Sequence, residues 1–125
     1  MGRAIKLKSI NNQFAEILLD DPNIASTQPH GTNLVLHTRY ILAETNTMLT
    51  LYILQGESGA SYLCDIGSIF DTAEDLGLDR KIVVANATKF GLQVDQEKIY
   101  CQTNQYDITS QVQDFIDFVK HLALV

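Results

Sequence analysis

Apolar residues in the first part of the chain recur at helical spacing and then give way to polar turn-forming residues. Residues 9–20 predict one amphipathic helix, whose apolar side is formed by Ile10, Phe14, Ile17 and Leu18. Pro22 follows the expected end of this helix. Residues 23–32 contain Pro29, Gly31 and small polar residues, a composition that predicts a loop leading into a sheet.

Alternating apolar and polar positions predict three consecutive strands after that loop. The first strand, residues 33–42, has its apolar side formed by Leu34, Leu36, Tyr40 and Leu42. The turn-forming stretches ETNT, residues 44–47, and GESG, residues 56–59, separate it from strands at 48–55 and 60–64. These strands are expected to form an antiparallel meander.

The stretch YLCDIGSIFDTAEDLGLD, residues 62–79, predicts the end of a strand, a turn at Gly67 and a short helix. Ser68 is the expected N-cap and Gly77 the expected end of this helix. Its apolar side is formed by Ile69, Phe70, Ala73 and Leu76. The acidic residues between these positions are therefore expected to face water.

The remainder of the chain predicts two further helices and one strand. A short helix at 80–90 is expected to turn these residues inward: Ile82, Val83, Ala87 and Phe90. A turn at 95–97 precedes a short strand at 98–103. The last helix, about residues 109–122, has its apolar side formed by Val112, Phe115, Ile116, Val119 and Leu122.

These elements predict the α+β class, with a small antiparallel sheet packed against an N-terminal helix, two short middle helices and a C-terminal helix. A chain of 125 residues has the length of one domain. Residues 1–30 supply the N-terminal helix and loop, and residues 31–125 the α+β core. One core is expected to bury Leu63, Phe70, Leu76, Phe90, Phe115 and Val119.

The composition indicates the cellular compartment and disfavours some classes of partner. Apolar residues make up 46% of the chain, yet no apolar run approaches the ~20 residues that span a bilayer. The first residues lack the apolar core of a secretory signal. Cys64 and Cys101 are expected to be two buried thiols without a disulfide. Both observations favour a cytoplasmic location. The net charge of −6, with no stripe of basic residues, disfavours direct binding of nucleic acid.

Motifs for catalysis, metals or cofactors are weak. The stretch GESGA, residues 56–60, resembles a nucleophile elbow but has Ala60 at the final glycine position and lies between two antiparallel strands. The histidines, His30, His37 and His121, are scattered through the chain. The carboxylates of residues 65–79 do not follow the spacing of a calcium loop, and no glycine-rich nucleotide motif is present. We therefore expect no metal, no cofactor and no enzymatic activity.

From about Gly31 onward the order of elements and motifs resembles a family of short phage and bacterial domains of unknown function. The turn block of that family reads Leu-Thr-Asp-Asp-Gly, followed by a hydroxyl residue, a small helix and a glycine. The positions of this chain that match the block are Leu63, Asp65, Gly67, Leu76 and Gly77. Cys64 and Ile66 depart from it. The resemblance implies the α+β fold and an origin in a mobile genetic element, and it implies no activity.

The acidic stretch supplies the hypothesis for function. We expect a protein-binding or inhibitor-type protein that uses the carboxylates of Asp65, Asp71, Glu74, Asp75 and Asp79. Such a surface would suit a basic, nucleic-acid-binding defence protein of a bacterial host, as in an anti-CRISPR inhibitor. Two alternatives remain open. One is a small hydrolase whose acidic residues and histidines converge only in the fold, and the other is a structural domain that assembles through a sheet edge, for which a homodimer would be a sign.

Overall fold

The computed structural model of the chain describes residues 2–43 and 45–125, and side chains from residue 10 onward. Within these residues four helices and six strands follow one another along the chain. Their order is α1 (Gly2–Leu18), β1 (Ile24–His30), β2 (Asn33–Ile41), β3 (Met48–Gln55), β4 (Ser61–Cys64), α2 (Ser68–Asp75), α3 (Arg80–Lys89), β5 (Gln93–Asp95), β6 (Lys98–Thr103) and α4 (Ile108–His121). The predicted α+β class is confirmed, and the sheet has more strands than predicted.

The six strands form one antiparallel sheet in the order β1-β2-β3-β4-β6-β5. The first four strands are consecutive neighbours, as expected of a meander. After β4 the chain leaves the sheet to build α2 and α3, and it returns through β5 at the far edge. As a result β6 lies between β4 and β5, and Leu63 of β4 pairs with Cys101 of β6.

All four helices pack on the same face of the sheet. α1 and α4 contact each other and the strands, and the ring of Phe90, directly after α3, lies 5.9 Å from that of Phe118 in α4. α2 contributes Ile69, Phe70 and Ala73 to the same core. The strand residues that point into this core alternate along each strand: Leu34, Leu36, Leu51, Ile53, Leu63 and Ile99. The sheet therefore has one dry face and one face that none of the four described helices covers.

Both edge strands lie in segments that the sequence did not predict as strands. β1 occupies most of residues 23–32, which were expected to form a loop, and three residues separate the end of α3 from β5. β1 contains Pro29, and its register shifts between Ile24 and Ser26. An edge strand is bonded on one side alone and tolerates proline and polar side chains on both faces, so it lacks the alternation that identifies a half-buried strand.

The residues that the middle helices bury differ in part from those predicted. α2 ends at Asp75, so Leu76 is its C-cap and remains 36% exposed. In α3 the buried side chains are Val83 and Ala87, four residues apart, and Ile82 lies one position beside that stripe with 46% exposure. Phe90 is only partly buried. The predictions for Leu76 and Ile82 are wrong because Leu76 lies beyond the end of α2 and Ile82 lies beside the side of α3 that faces the core.

The turns on each side of the central strands largely follow the prediction. The stretch 56–59 joins β3 to β4, with the N–H of Gly59 bonded to the carbonyl of Gly56 at 3.1 Å, and this hairpin is not a strand-to-helix elbow. Gly67, with φ of 98°, is the N-cap of α2 in place of Ser68, which is already helical. Glu44, expected in the turn before β3, lies outside the described residues. No helix within the described residues combines the length and apolarity needed to span a membrane.

The core position of Phe115 gives a direct test of the packing. Phe115 on α4 is fully buried, so Phe115→Ala is expected to lower the free energy of unfolding by about 3–5 kcal/mol. Leu76→Ala, at an exposed helix end, is expected to cost below about 1 kcal/mol. Urea denaturation of both variants measures the difference, and equal losses would contradict the packing described above.

Candidate functional site

The uncovered face of the sheet carries a second apolar layer, separate from the core. Because side chains alternate along a strand, the neighbours of the core-facing residues point to this side. They are partly exposed and include Val35, Tyr52, Leu54, Tyr62 and Tyr100. None of these five belongs to the core cluster or packs against it. We call this surface, with Ile41 and Met48 at one end, the open face.

Strand register brings the open-face residues into contact across β3, β4 and β6. Leu54 is directly opposite Tyr62, and Cys64 lies between Tyr52 and Tyr100. The rings of Tyr62 and Tyr100 meet edge to face, with centroids 6.2 Å apart. Cross-strand pairs of aromatic and apolar side chains are the contacts that stabilise a sheet face. The open face is thus an ordered surface built by the register of the strands.

A groove of about 310 Å³ runs over this surface. It is lined by Leu54, Tyr62, Cys64, Asp95, Lys98 and Tyr100. Cys64 is buried beneath its neighbours, and burial raises the pKa of this thiol above its ordinary value. The groove therefore offers aromatic and aliphatic surface, with one acid and one base at its β5–β6 side.

Gly56 makes room for part of this surface. A side chain at this position would place its Cβ 3.1 Å from the ring of Tyr62, closer than ordinary van der Waals contact. The ring therefore lies over the backbone at the end of β3. An aromatic ring packed over a glycine in the neighbouring strand is a known means of stabilising strand pairing.

The two ends of the open face differ in chemistry. At one end Ile41 and Met48 are paired in register, and both are exposed apolar side chains. Further along, His37 pairs with Thr50, and at the β5–β6 corner Asp95 pairs with Lys98. The exposed Arg39 lies between His37 and Ile41 on this side of β2, and the β5–β6 corner carries one charge of each sign. Aromatic residues and methionine with few charges are typical of protein–protein contact surfaces.

Asp65, the first carboxylate of the predicted acidic site, lies inside the protein. It is 2% exposed, and its Oδ1 accepts hydrogen bonds from the backbone N–H groups of Gly67 at 3.1 Å and Ile99 at 2.9 Å. Its Oδ2 accepts a third, from the N–H of Ile69 at 2.9 Å. One side chain thereby joins the end of β4, the start of α2 and β6. Asp65 has a structural role and is not part of an exposed acidic surface.

The other acidic residues of the stretch are exposed but do not all have the same role. Asp71, Glu74 and Asp75 lie on the outer side of α2 and form what we call the α2 acidic surface. Asp79 is the N-cap of α3, where its carboxylate accepts a hydrogen bond from the N–H of Lys81 at 2.9 Å. The acidic site predicted from the sequence therefore combines three surface carboxylates with one buried structural residue and one helix cap.

Ile66 stands in an unfavourable backbone conformation next to Asp65. Its φ is 57°, in the left-handed region, and its side chain is 46% exposed. A β-branched residue is rarely found there, because its Cβ crowds the following carbonyl, at a cost of roughly 1–2 kcal/mol. Asparagine and aspartate tolerate this conformation better. Ile66 is thus a strained and exposed apolar residue.

Groups suited to catalysis are distributed over different elements. His30 ends β1, His37 lies on β2, and His121 ends α4, where its ring lies 5.7 Å from that of Phe90. Cys101 points to the core face, opposite to Cys64, and burial raises its pKa to about 12. Among the described residues no group of three or more His, Cys, Asp or Glu side chains could hold a metal ion.

Sequence reasoning missed the open face, although β3 carried a signal for it. The run LTLYIL, residues 49–54, is apolar at most positions and does not alternate cleanly. A strand with apolar residues on both sides is expected to be covered on both sides.

Comparisons of the chain with protein-family models, curated proteins and solved structures found no match. The surface is therefore interpreted from its geometry.

The strain at Ile66 predicts a stabilising substitution. Ile66→Asn is expected to raise the free energy of unfolding by about 1 kcal/mol, because asparagine adopts the left-handed conformation more readily. Ile82→Asn is the matched control, since Ile82 is equally exposed but helical. It is expected to be neutral or to destabilise by a few tenths of a kcal/mol. Denaturant unfolding compares the two, and a destabilised Ile66→Asn would contradict the strain.

The buried position of Asp65 predicts a pH dependence. Burial raises the pKa of this carboxyl above its ordinary 3.8, against the opposing effect of the N–H groups of Ile99, Ile69 and Gly67. A carboxyl with a raised pKa binds more protons in the folded state. Its contribution to stability is therefore complete below the unfolded-state pKa and is lost as pH rises through the folded-state pKa.

We expect Asp65→Asn to be less stable than the wild type by about 1–3 kcal/mol, because the amide leaves a backbone N–H without an acceptor. This deficit is expected to shrink as pH rises from about 4. Urea unfolding across acidic to neutral pH measures it, with the exposed Asp71→Asn as control. A deficit that grew with pH would show that the three hydrogen bonds lower the pKa of Asp65 more than burial raises it.

Proposed function

We propose that this protein acts by binding other protein chains and that the open face is its main contact surface. The observation that carries the proposal is the apolar layer of Val35, Tyr52, Leu54, Tyr62 and Tyr100 on the side of the sheet that none of the four described helices covers. Three of the five tyrosines of the chain belong to it. Contiguous apolar surface of this kind is costly to leave in water and marks interaction sites in soluble proteins.

The sheet edges are less suitable for binding. β5 has three residues, and β1 carries Pro29 and an irregular register, so neither edge offers a long row of free backbone groups. Short, interrupted edges are a common means by which proteins prevent strand addition. Assembly through a sheet edge, one alternative from the sequence, is therefore not the mode that we propose.

A narrower role, inhibition of a basic nuclease of a bacterial defence system, remains a second candidate. It is favoured by the α2 acidic surface, where Asp71, Glu74 and Asp75 are exposed on one helix. Within the described residues the one ion pair joins Arg80 to Glu97, at 3.3 Å, so these three carboxylates keep their charge available for a partner. The resemblance to phage and bacterial domains supports the same proposal, together with action in the host cytoplasm.

A catalytic role is not part of the proposal. A hydrolase would need a nucleophile or water held between a base and a group that orients the base. The histidines lie on three separate elements, and both thiols have raised pKa values because they are buried. A thiol held in its protonated form is a poor nucleophile.

The test compares two substitutions of the same kind on different surfaces. Leu54→Lys puts a charge into the open face, whereas Leu19→Lys changes a leucine that is 79% exposed after α1, on the helix side. A partner captured with the tagged wild-type protein in its native host is purified, and its affinity for each variant is measured by calorimetry. We expect Leu54→Lys to weaken binding more than about tenfold and Leu19→Lys to have little effect.

The α2 acidic surface is tested in the same assay. If it binds a basic partner, the triple change Asp71→Lys, Glu74→Lys, Asp75→Lys is expected to leave the fold intact and to slow association, because like charges repel. The wild-type association rate should then fall as salt rises. Wild-type affinity in the triple variant together with lost affinity in Leu54→Lys would leave the open face as the contact surface. The reverse result would contradict the main proposal.

A further inference from the structure

We infer that the open face is covered by a second copy of this chain, so that two sheets stack face to face in a two-fold dimer. The inference rests on the proposed function for the surface itself and adds the identity of its occupant. In such a dimer the helices of both copies lie on the outside, and the two apolar layers form the centre of a four-layer assembly. Face-to-face stacking of antiparallel sheets about 10 Å apart is the usual way in which such faces are buried.

The distribution of charge favours a second copy. The chain has a net charge of −6, which would oppose self-association if the charge were spread evenly. In the strands, however, the charged residues are Arg39, Lys98 and Asp95, which sum to +1. Of the remaining −7, −1 belongs to Glu44, outside the described residues, and −6 lies on helices, turns and loops. Two copies can therefore join through their sheets without bringing acidic surfaces together.

Distances in a face-to-face dimer keep the acidic layers apart. Each helix layer lies about 10 Å from its own sheet, and the two sheets would lie about 10 Å from each other, so the helix layers are separated by about 30 Å. This exceeds the Debye length of about 8 Å at physiological salt. Repulsion between the α2 acidic surfaces of the two copies, each formed by Asp71, Glu74 and Asp75, is then mostly screened.

The size of the face matches one protein interface. Six strands about 4.8 Å apart give a width of about 24 Å, and with strands of about 20 Å this is a projected area of roughly 500 Å². Protruding tyrosines raise the accessible area toward the ~800 Å² that each partner buries in an interface of standard size. A copy of the same face offers an equal area of equal composition.

The chemistry of the open face also favours self-recognition over a charged partner. Specific recognition of an unrelated protein usually draws on complementary charges. Among the described residues the charges on this face are Arg39 on β2 and, at one corner, Asp95 and Lys98, which are directly paired with each other in register. A second copy requires no charge complementarity, because apolar surface meets the same apolar surface on the partner.

Sedimentation velocity of the purified protein tests the inference. Across about 1–100 µM, which covers the weak end of affinities for standard interfaces, the wild type is expected to have twice the 14.0 kDa mass of the chain. Raising salt from about 0.1 to 0.5 M should leave the dimer intact or strengthen it, since the contact is apolar and the residual repulsion is screened. Dissociation by salt would contradict an apolar interface.

The variants show which surface forms the dimer. Leu54→Lys is expected to raise the dimer dissociation constant at least about tenfold, and Leu19→Lys to leave it unchanged. Circular dichroism verifies that the fold is retained, and Val35→Lys, at another open-face position, replaces Leu54→Lys if that variant unfolds. A dimer that survives both open-face substitutions would overturn the inference.

The outcomes separate this inference from the proposed function. A wild type that remains at the mass of one chain at every concentration overturns the dimer, while the proposed function stands if Leu54→Lys still weakens binding of the captured partner. If the chain is monomeric and neither open-face substitution affects partner binding, both are wrong. A dimer lost in Leu54→Lys and retained in Leu19→Lys supports both.

Discussion

The packing of all four helices on one face of the sheet is the constraint from which the other features follow. Each strand has two sides, and a single helix layer can cover only one of them. The core therefore forms between α1, α4, the middle helices and the inward side of β2, β3, β4 and β6. Every alternate strand residue is left on the other side. Where those residues are tyrosine, leucine and valine, the result is a partly exposed apolar surface.

Asp65 stabilises the segment in which the chain leaves the sheet after β4. After β4 the chain must leave the sheet, build two helices and return to place β6 beside β4. The carboxylate of Asp65 accepts hydrogen bonds from N–H groups of the turn after β4, of the first residues of α2 and of β6. It therefore links the segment by which the chain leaves the sheet to the strand by which it returns. Three hydrogen bonds to one buried carboxylate offset a large part of its desolvation. The left-handed backbone at Ile66 and Gly67 is part of the same tight exit.

Much of the fold could be predicted from the sequence where burial is one-sided. The periods of α4 and β2 identify them closely, because each element has one face in the core and its apolar residues repeat with the geometry of the element. β1 and β5 could not be identified in this way, since they exist through backbone bonds to β2 and β6. Those bonds depend on the neighbouring strand and leave little trace in the side chains.

The candidate site shows the same division. The sequence by itself determined that the protein is a small, acidic α+β domain and that α2 carries exposed carboxylates at Asp71, Glu74 and Asp75. Only the tertiary structure decided that Asp65 is buried while Asp71 is exposed, and that Tyr52, Tyr62 and Tyr100 share one uncovered face. The reason is physical. Whether a side chain meets protein or water depends on which elements pack against it, and strand register and helix placement are set by contacts between residues far apart in the chain.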